Sequence, residues 1–485
     1  MSIEERLIKL EKLAKLLREE KVKEKIVKGH VVGVNMYHKF SELELMEGIK
    51  AIENSISNRK EFSSRTPIGK IGIVAPYNTP SFAFGYGCEL VATGNDIEIY
   101  FSSDLIEYRE VIADVVKNAG IEDHIKIFMG SQKDFVPNVL KNMNGLQIYG
   151  GDAPFVFSYA KMAQEISKHQ KKNFVYCFEG PGNDPAIFLK SASRLKFDNA
   201  PHSAEFFADL LGISMKHKAR DFWLEYCALN AVAGTIVGRG QSCMAFRRII
   251  AHKDIANKLE NAIVKIIQNI NNGLVSDENQ TAIIGQSGSA STNKNLFART
   301  LGYSDGEKYI PGQIDDALNS GSLIYRSDGS KTNNKDQFLM EYVDIKKGIM
   351  KPFVATNVSP ESRFNTEETF LPIVNIIKAP SDIAAIDYAT RGRYCLRTSL
   401  YGNPNEDNYK HVKNVLSLHF GVVDENQPFF SLWDPTLKWG PGMVNNRSGF
   451  VKVFGSNGRE VEILGPRRMF EVFSKEYVTE VLSRN

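Results

Sequence analysis

Cys243 sits in Arg239-Gly240-Gln241-Ser242-Cys243-Met244-Ala245-Phe246-Arg247-Arg248, a Gly-Gln turn that runs on through Ile249-Ile250-Ala251-His252. A thiolate is a strong nucleophile, and the arginines at 239, 247 and 248 are placed to lower the thiol pKa. Gly240 would let the loop come close to a substrate. The competing reading is an inert core cysteine. Three other segments carry polar groups at Pro-punctuated turns: Ala75-Pro76-Tyr77-Asn78-Thr79-Pro80, Phe178-Glu179-Gly180-Pro181-Gly182-Asn183-Asp184-Pro185 and Glu367-Glu368-Thr369-Phe370-Leu371-Pro372. Asn78 also suits an Asx turn ahead of Pro80. Glu179 also suits a surface strand end, and the Glu367-Glu368 pair a solvated turn.

The elements that would hold these residues follow from hydrophobic periodicity. Residues 3–28 give an amphipathic helix, with Leu7, Leu10, Leu13, Leu16 and Leu17 on one face. The run Lys70 to Ala75 is a buried strand ending in the Pro-Tyr-Asn-Thr-Pro turn. A helix (Phe82 to Thr93), a strand (Ile97 to Phe101) and a helix (Leu105 to Ala119) follow. Then come a strand (Ile125 to Met129), a helix (Phe135 to Met143) and a strand (Leu146 to Tyr149) that ends at Gly150-Gly151. This alternation is the pattern of a doubly wound parallel sheet. A second α/β region begins after Glu179, with helices expected at Ala204 to Leu211, Ala219 to Ile236 and Ile255 to Ile270. Strands are expected within Val343 to Val374 and at Thr398 to Gly402. Residues 284–294 and 434–449 are expected as loops, and 460–485 as mixed strand and helix.

At 485 residues the chain is too long for one ordinary core. Apolar content of 42% and charged content of 24% are those of a soluble globular protein. The net charge of +3 is spread thinly, with no basic, aromatic-interleaved block to suggest nucleic acid. Five scattered cysteines without a C-x-x-C, and no His near a Cys at ligand spacing, argue for a reducing compartment without disulfides or metal. The charged start and the lack of an eighteen-residue apolar run point to a cytoplasmic protein with no membrane partner.

In their order along the chain, the four segments resemble the signature segments of the aldehyde dehydrogenase superfamily. The resemblance implies a Rossmann-type cofactor domain, an α/β catalytic domain and a small oligomerisation extension. The corresponding boundaries are 1–180, with 46–68 as an oligomerisation hairpin, then 181–440, with 441–485 returning to the cofactor domain and the oligomerisation tail. It implies NAD(P)-dependent oxidation of an aldehyde through a Cys243 thiohemiacetal and thioester. Asn78 would bind the oxyanion, and Glu179 would activate water. Ala75, Pro76, Tyr77, Gly150, Gly151 and Gly180 would line the cofactor, Glu368 would hydrogen-bond the nicotinamide ribose, and Phe370 would pack beside its ring. NAD or NADP is the cofactor and a small-molecule aldehyde the substrate, in a homodimer or homotetramer.

Several departures leave choices open. Gly180-Pro181-Gly182-Asn183 looks like the motif of the CoA-acylating members, an acyl-CoA or acyl-thioester reductase in the reducing direction, whereas Glu179 belongs to the hydrolytic ones. Both water and coenzyme A therefore stand as thioester acceptors. The family's cofactor-strand lysine corresponds to Phe101, which leaves NAD versus NADP open. An insertion lies around Leu189 to Phe222, and 439–449 match the family only loosely. A non-catalytic binding protein on the same fold is the third reading.

Overall fold

The computed structural model of the chain describes residues 1–150, 153–195, 211, 222–273, 309–344, 349–392, 394–427, 449–463 and 468–483. Gly151, most of the Leu189–Phe222 insertion with its expected helix from Ala204, the 284–294 loop, nearly all of 434–449, and the aromatics Phe429, Phe430 and Trp433 lie outside the described residues. Contacts divide the chain into two compact units. The first comprises Met1–Val34, Phe40–Pro181 and Asp434–Asn485; the second comprises Asn35–Lys39 and Gly182–Trp433.

Strands β1 (Lys70–Val74), β2 (Asp96–Tyr100), β3 (Ile125–Phe128), β4 (Gly145–Tyr149) and β5 (Phe174–Glu179) open the chain's sheet structure. They are followed by β6 (Asp184–Phe188), β7 (Phe246–His252), β8 (Leu323–Tyr325), β9 (Lys331–Thr332), β10 (Val343–Asp344), β11 (Ile349–Met350) and β12 (Phe353–Thr356). Then come β13 (Ile373–Ala379), β14 (Arg397–Tyr401), β15 (Val422–Glu425), β16 (Gly449–Phe454) and β17 (Glu460–Ile463).

The first unit holds a sheet in the order β17-β16-β5-β4-β1-β2-β3. The five strands β1 to β5 are parallel, while β16 runs antiparallel to β5 and β17 antiparallel to β16. Ile73 lies level with Ile99 on one side and Gln147 on the other, and all three are buried. Strand order reverses between β1 and β4, which makes the carboxyl ends of those strands the expected ligand crevice. The helices between strands follow the sequence signals. Ser131 caps Gln132–Asn142, and Gly120, at φ 72°, ends Ile106–Ala119 in the left-handed conformation.

Two N-terminal expectations are corrected. The single helix over 3–28 is two, Ile3–Arg18 and Glu20–Val34, because Glu19 adopts an extended ψ of 127° and breaks the hydrogen-bond ladder. Residues 46–68 are no hairpin: His38–Ser57 and Arg59–Ser63 are helical. Leu45, Ile49 and Ile52 recur at helical spacing and are buried. Gly48 and Gly85 bring this helix and Pro80–Ala92 into backbone contact, since a Cβ on Gly85 would lie 2.3 Å from the Gly48 carbonyl oxygen.

The second unit holds an eight-stranded sheet in the order β15-β14-β6-β7-β13-β12-β8-β9. All neighbours from β15 to β12 are parallel, and β8 and β9 close one edge antiparallel. Strands β10 and β11 form a separate antiparallel pair. Strand β7 is buried along its whole length, as its Phe-Arg-Arg-Ile-Ile-Ala-His run suggests for all but the arginines. Helix Lys253–Gly273 carries Glu260, a buried acid that ties it to four strands. One carboxylate oxygen accepts from Tyr325 Oη (2.6 Å) and Lys331 Nζ (2.9 Å), the other from Thr356 Oγ1 (2.6 Å) and Lys378 Nζ (2.8 Å).

Burial alone would raise the Glu260 pKa, yet these four donors hold it down to about 2. Its folded value lies below the unfolded one of 4.5, so its contribution is complete above pH 5 and fades as pH falls toward 2. Glu260→Gln is expected to cost about 2 kcal/mol at pH 7. Denaturant unfolding should show the gap to the wild type closing between pH 5 and pH 2.

Candidate active site

In the first unit, two loops flank the crevice where strand order reverses. After β1, the Ala75 N–H still donates to the Tyr100 carbonyl (2.9 Å), so the strand ladder carries the chain up to Pro76. The Tyr77 carbonyl accepts from His30 Nε2 (3.0 Å), and burial keeps that imidazole neutral, with its pKa pushed down to about 4. Asn78 is buried immediately before helix Pro80–Ala92, whose first turn is anchored by the Phe82 N–H donating to Glu44 Oε1 (2.5 Å). The Asn78 turn is thus fixed on both sides.

After β4, the Gly150 N–H donates to the Glu179 carbonyl (2.7 Å). Gly150 has φ 72°, and a Cβ there would meet nothing within 4 Å. A left-handed glycine under open space at a switch point suits close approach of a phosphate-bearing ligand. Glu179 is the last residue of β5, level with Tyr149 on one side and Gly449 on the other, and only 8% exposed. This excludes the surface-carboxylate reading. Burial, with Glu179 adding to it, holds the Tyr149 phenol protonated well above its ordinary range. Gly180 is buried too.

In the second unit, Cys243, Gly182 and the Glu368–Phe370 segment lie at one end of the sheet, ahead of the adjacent strands β7, β6 and β13. Cys243 lies in a turn and is half-buried; Cys88, Cys177, Cys227 and Cys395 are fully buried. Burial pushes the Cys88, Cys177 and Cys227 thiols far up, which leaves them inert. Gly182 packs directly on the Cys243 backbone: a Cβ there would lie 1.7 Å from the Cys243 carbonyl oxygen. The Gly182 N–H donates to Glu368 Oε1 (2.9 Å). Burial raises the Glu368 pKa to about 7, opposed by the Arg247 charge and by that N–H. Phe370 is half-buried, with the Arg247 guanidinium 5.6 Å from its ring centroid.

The arginines expected to tune the thiol hold backbone. Arg247 donates to the carbonyls of Gly240 (2.5 Å), Ser242 (2.8 Å) and Leu371 (3.1 Å). Arg248 donates to those of Asn183 (2.8 Å) and Ala389 (2.9 Å), and Arg239 to that of Asn35. Gly240 has φ 69° and serves approach to the chain, not to a substrate, since a Cβ there would lie 2.5 Å from the Leu371 carbonyl carbon. Sequence reasoning also missed Gln313, which accepts from Thr369 Oγ1 (3.0 Å) and donates to the Glu368 carbonyl (3.2 Å). A basic pair inside a fully buried strand was the signal for Arg247; nothing in the sequence singled out Gln313.

The fit to a dinucleotide is good in each unit: an open glycine turn at the switch point of one, a fixed carboxylate beside a part-open aromatic ring in the other. Among the described residues no cluster of His, Cys, Asp and Glu could hold a metal, and no helix is long and apolar enough to cross a membrane.

The aldehyde dehydrogenase family model matches residues 331–438. The chain is 20% identical to succinate-semialdehyde dehydrogenase (NADP(+)) 1 of Mycobacterium ulcerans, over 78% of this chain and 69% of that one. It is 24% identical to NADP-dependent glyceraldehyde-3-phosphate dehydrogenase of Streptococcus equinus, over 37% of this chain but only 31% of that protein's length. A crystal structure of succinate-semialdehyde dehydrogenase from Burkholderia pseudomallei superposes with a TM-score of 0.70 at 15% identity, covering 96% of this chain and 86% of that one. The chain is thus similar to aldehyde dehydrogenases over part of its sequence, and it shares their fold. That shared fold accounts for the two α/β sheets.

Iodoacetamide at pH 8 should label Cys243 at least about tenfold faster than the other four cysteines, as read by peptide mass spectrometry. Faster labelling of Cys88 or Cys227 in the folded protein would remove Cys243 from the site.

Proposed function

We propose that the protein oxidises an aldehyde to the carboxylic acid with NAD or NADP. The single observation that carries this is the convergence of the one part-exposed thiol, Cys243, with a carboxylate, Glu368, across a glycine that touches both. The Cys243 thiolate adds to the aldehyde carbon, and the oxyanion that develops is bound by the Asn78 amide. Removing a donor of that kind costs about 10²–10³-fold in rate. NAD or NADP, when bound, would supply the hydride acceptor that lets the Cys243 thiohemiacetal become a thioester. Glu368 would hold the cofactor's nicotinamide ribose and Phe370 would pack beside its ring, while Ala75, Pro76, Tyr77 and the Gly150 turn would line the remainder. Glu179 takes a proton from water, the hydroxide equivalent attacks the thioester carbon, and the thiolate leaves with the acid as product.

Water is the acceptor in this reading because Glu179, which the resemblance assigns as the base, is a carboxylate buried at a strand end and not a surface acid. Asn183, part of the segment that resembles the CoA-acylating motif, serves the fold instead, with its amide donating to the Asn365 carbonyl (3.0 Å). The substrate class is a small aldehyde, and a screen should include succinate semialdehyde and glyceraldehyde 3-phosphate, which name the relatives' activities. Glu179→Gln is expected to give a burst of about one reduced cofactor per site followed by near-arrest. Equal loss of burst and steady state would take the base role away from Glu179. Negligible turnover until coenzyme A is added would replace water by the thiol acceptor.

The protein is also proposed to form a homo-oligomer. Strand β17 is an edge of the first sheet, and an edge strand is a template for pairing with a second copy. Light scattering at micromolar concentration is expected to give at least twice the monomer mass of 54.4 kDa; a monomer would contradict it.

A further inference from the structure

The geometry points to Arg247 as a positioning residue for the nucleophile: its guanidinium fixes the Cys243 turn and locks that turn to the segment carrying Glu368 and Phe370. This rests on the aldehyde dehydrogenase reading of Cys243. Arg247 stands four residues after the cysteine, at the buried start of β7, and is fully buried. Its side chain reaches back across its own turn. Nη2 donates to the carbonyls of Gly240 and Ser242, the residues three before and one before Cys243. Nη1 donates to the Leu371 carbonyl, and the guanidinium lies 5.6 Å from the Phe370 ring centroid. The Asn375 amide, from β13, holds the Arg247 carbonyl (3.0 Å). One planar cation therefore closes residues 240–247 into a ring and ties that ring to 370–371.

The shape of the group is what the arrangement uses. A guanidinium offers donors in several directions in one rigid plane and lies against an aromatic face, whereas an ammonium is a compact point charge. Gly182 adds a second tie, from Glu368 through its N–H to the Cys243 carbonyl that it touches. The thiol-bearing turn is thus fixed to the Glu368–Leu371 segment twice over, through Arg247 and through Gly182. A displacement of about 1 Å in a reacting group costs about 10²-fold in rate, so loss of the ring should appear in kcat.

The test compares wild type, Arg247→Lys and Arg247→Met in two readouts: steady-state kinetics with an aldehyde and cofactor, and the pH profile of Cys243 alkylation by iodoacetamide without cofactor. Arg247→Lys is expected to lower kcat about 100-fold, to change both KM values less than about threefold, and to leave the alkylation midpoint within about half a pH unit of wild type. Continued protection of the four buried cysteines reports an intact fold. If Arg247→Met exposes them, the lysine variant, which retains the charge, decides. A kcat in Arg247→Lys within about threefold of an active wild type overturns this proposal alone. So does a midpoint raised by about a unit or more in Arg247→Met and restored by lysine, because the charge would then be acting on the thiol. A wild type that reduces no cofactor with any aldehyde overturns the functional reading, and this proposal with it.

Discussion

The contact between Gly182 and the Cys243 carbonyl is the constraint on which the second unit's site depends. No side chain fits between the two backbones, so the end of the Glu-Gly-Pro-Gly segment and the Cys243 turn are set at van der Waals distance before any ligand arrives. That closeness also leaves the Gly182 N–H aimed at Glu368. Parallel neighbours β6, β7 and β13 bring the three segments to one end of the sheet because all three strands run the same way. The sheet supplies the order, and glycine supplies the distance.

Polar burial is the second theme, and each unit manages it differently. In the second unit, buried arginines at 247 and 248 satisfy loop carbonyls, which lets irregular backbone lie deep without leaving those carbonyls unmet. In the first unit, Glu44 and Glu89 are buried acids whose pKa values burial raises to about 8, so both hold a proton at neutral pH. Glu44 anchors the start of the helix that follows Asn78. An ionised carboxylate at that depth would cost more than the N–H it accepts returns, and protonation is the less costly solution.

The parallel strands of the first unit were legible because β-branched runs such as Lys-Ile-Gly-Ile-Val stop at Pro or Gly, and hydrophobic pattern and turn chemistry agree there. The likeness to aldehyde dehydrogenases was legible from the Cys243 turn taken together with three other segments. The hairpin at 46–68 failed because it came from the family likeness and not from spacing; Leu45, Ile49 and Ile52 already carried the helical period. The role of Arg247 was invisible for another reason. A sequence shows a basic residue near a thiol but not the direction of its fork, and the direction separates a group that tunes a pKa from one that holds a loop. Gln313 met Thr369 across 56 positions of chain, a distance no local pattern reports.

The central claim is that Cys243 carries the substrate as a thioester made when the cofactor is reduced. Acid quenching in the first turnover, followed by mass spectrometry of the Cys243 peptide, tests it most directly. The account predicts an acyl adduct on Cys243 in step with reduced cofactor, absent when either the aldehyde or the cofactor is withheld. Reduced cofactor forming with an unmodified Cys243, or an adduct on another residue, would contradict it.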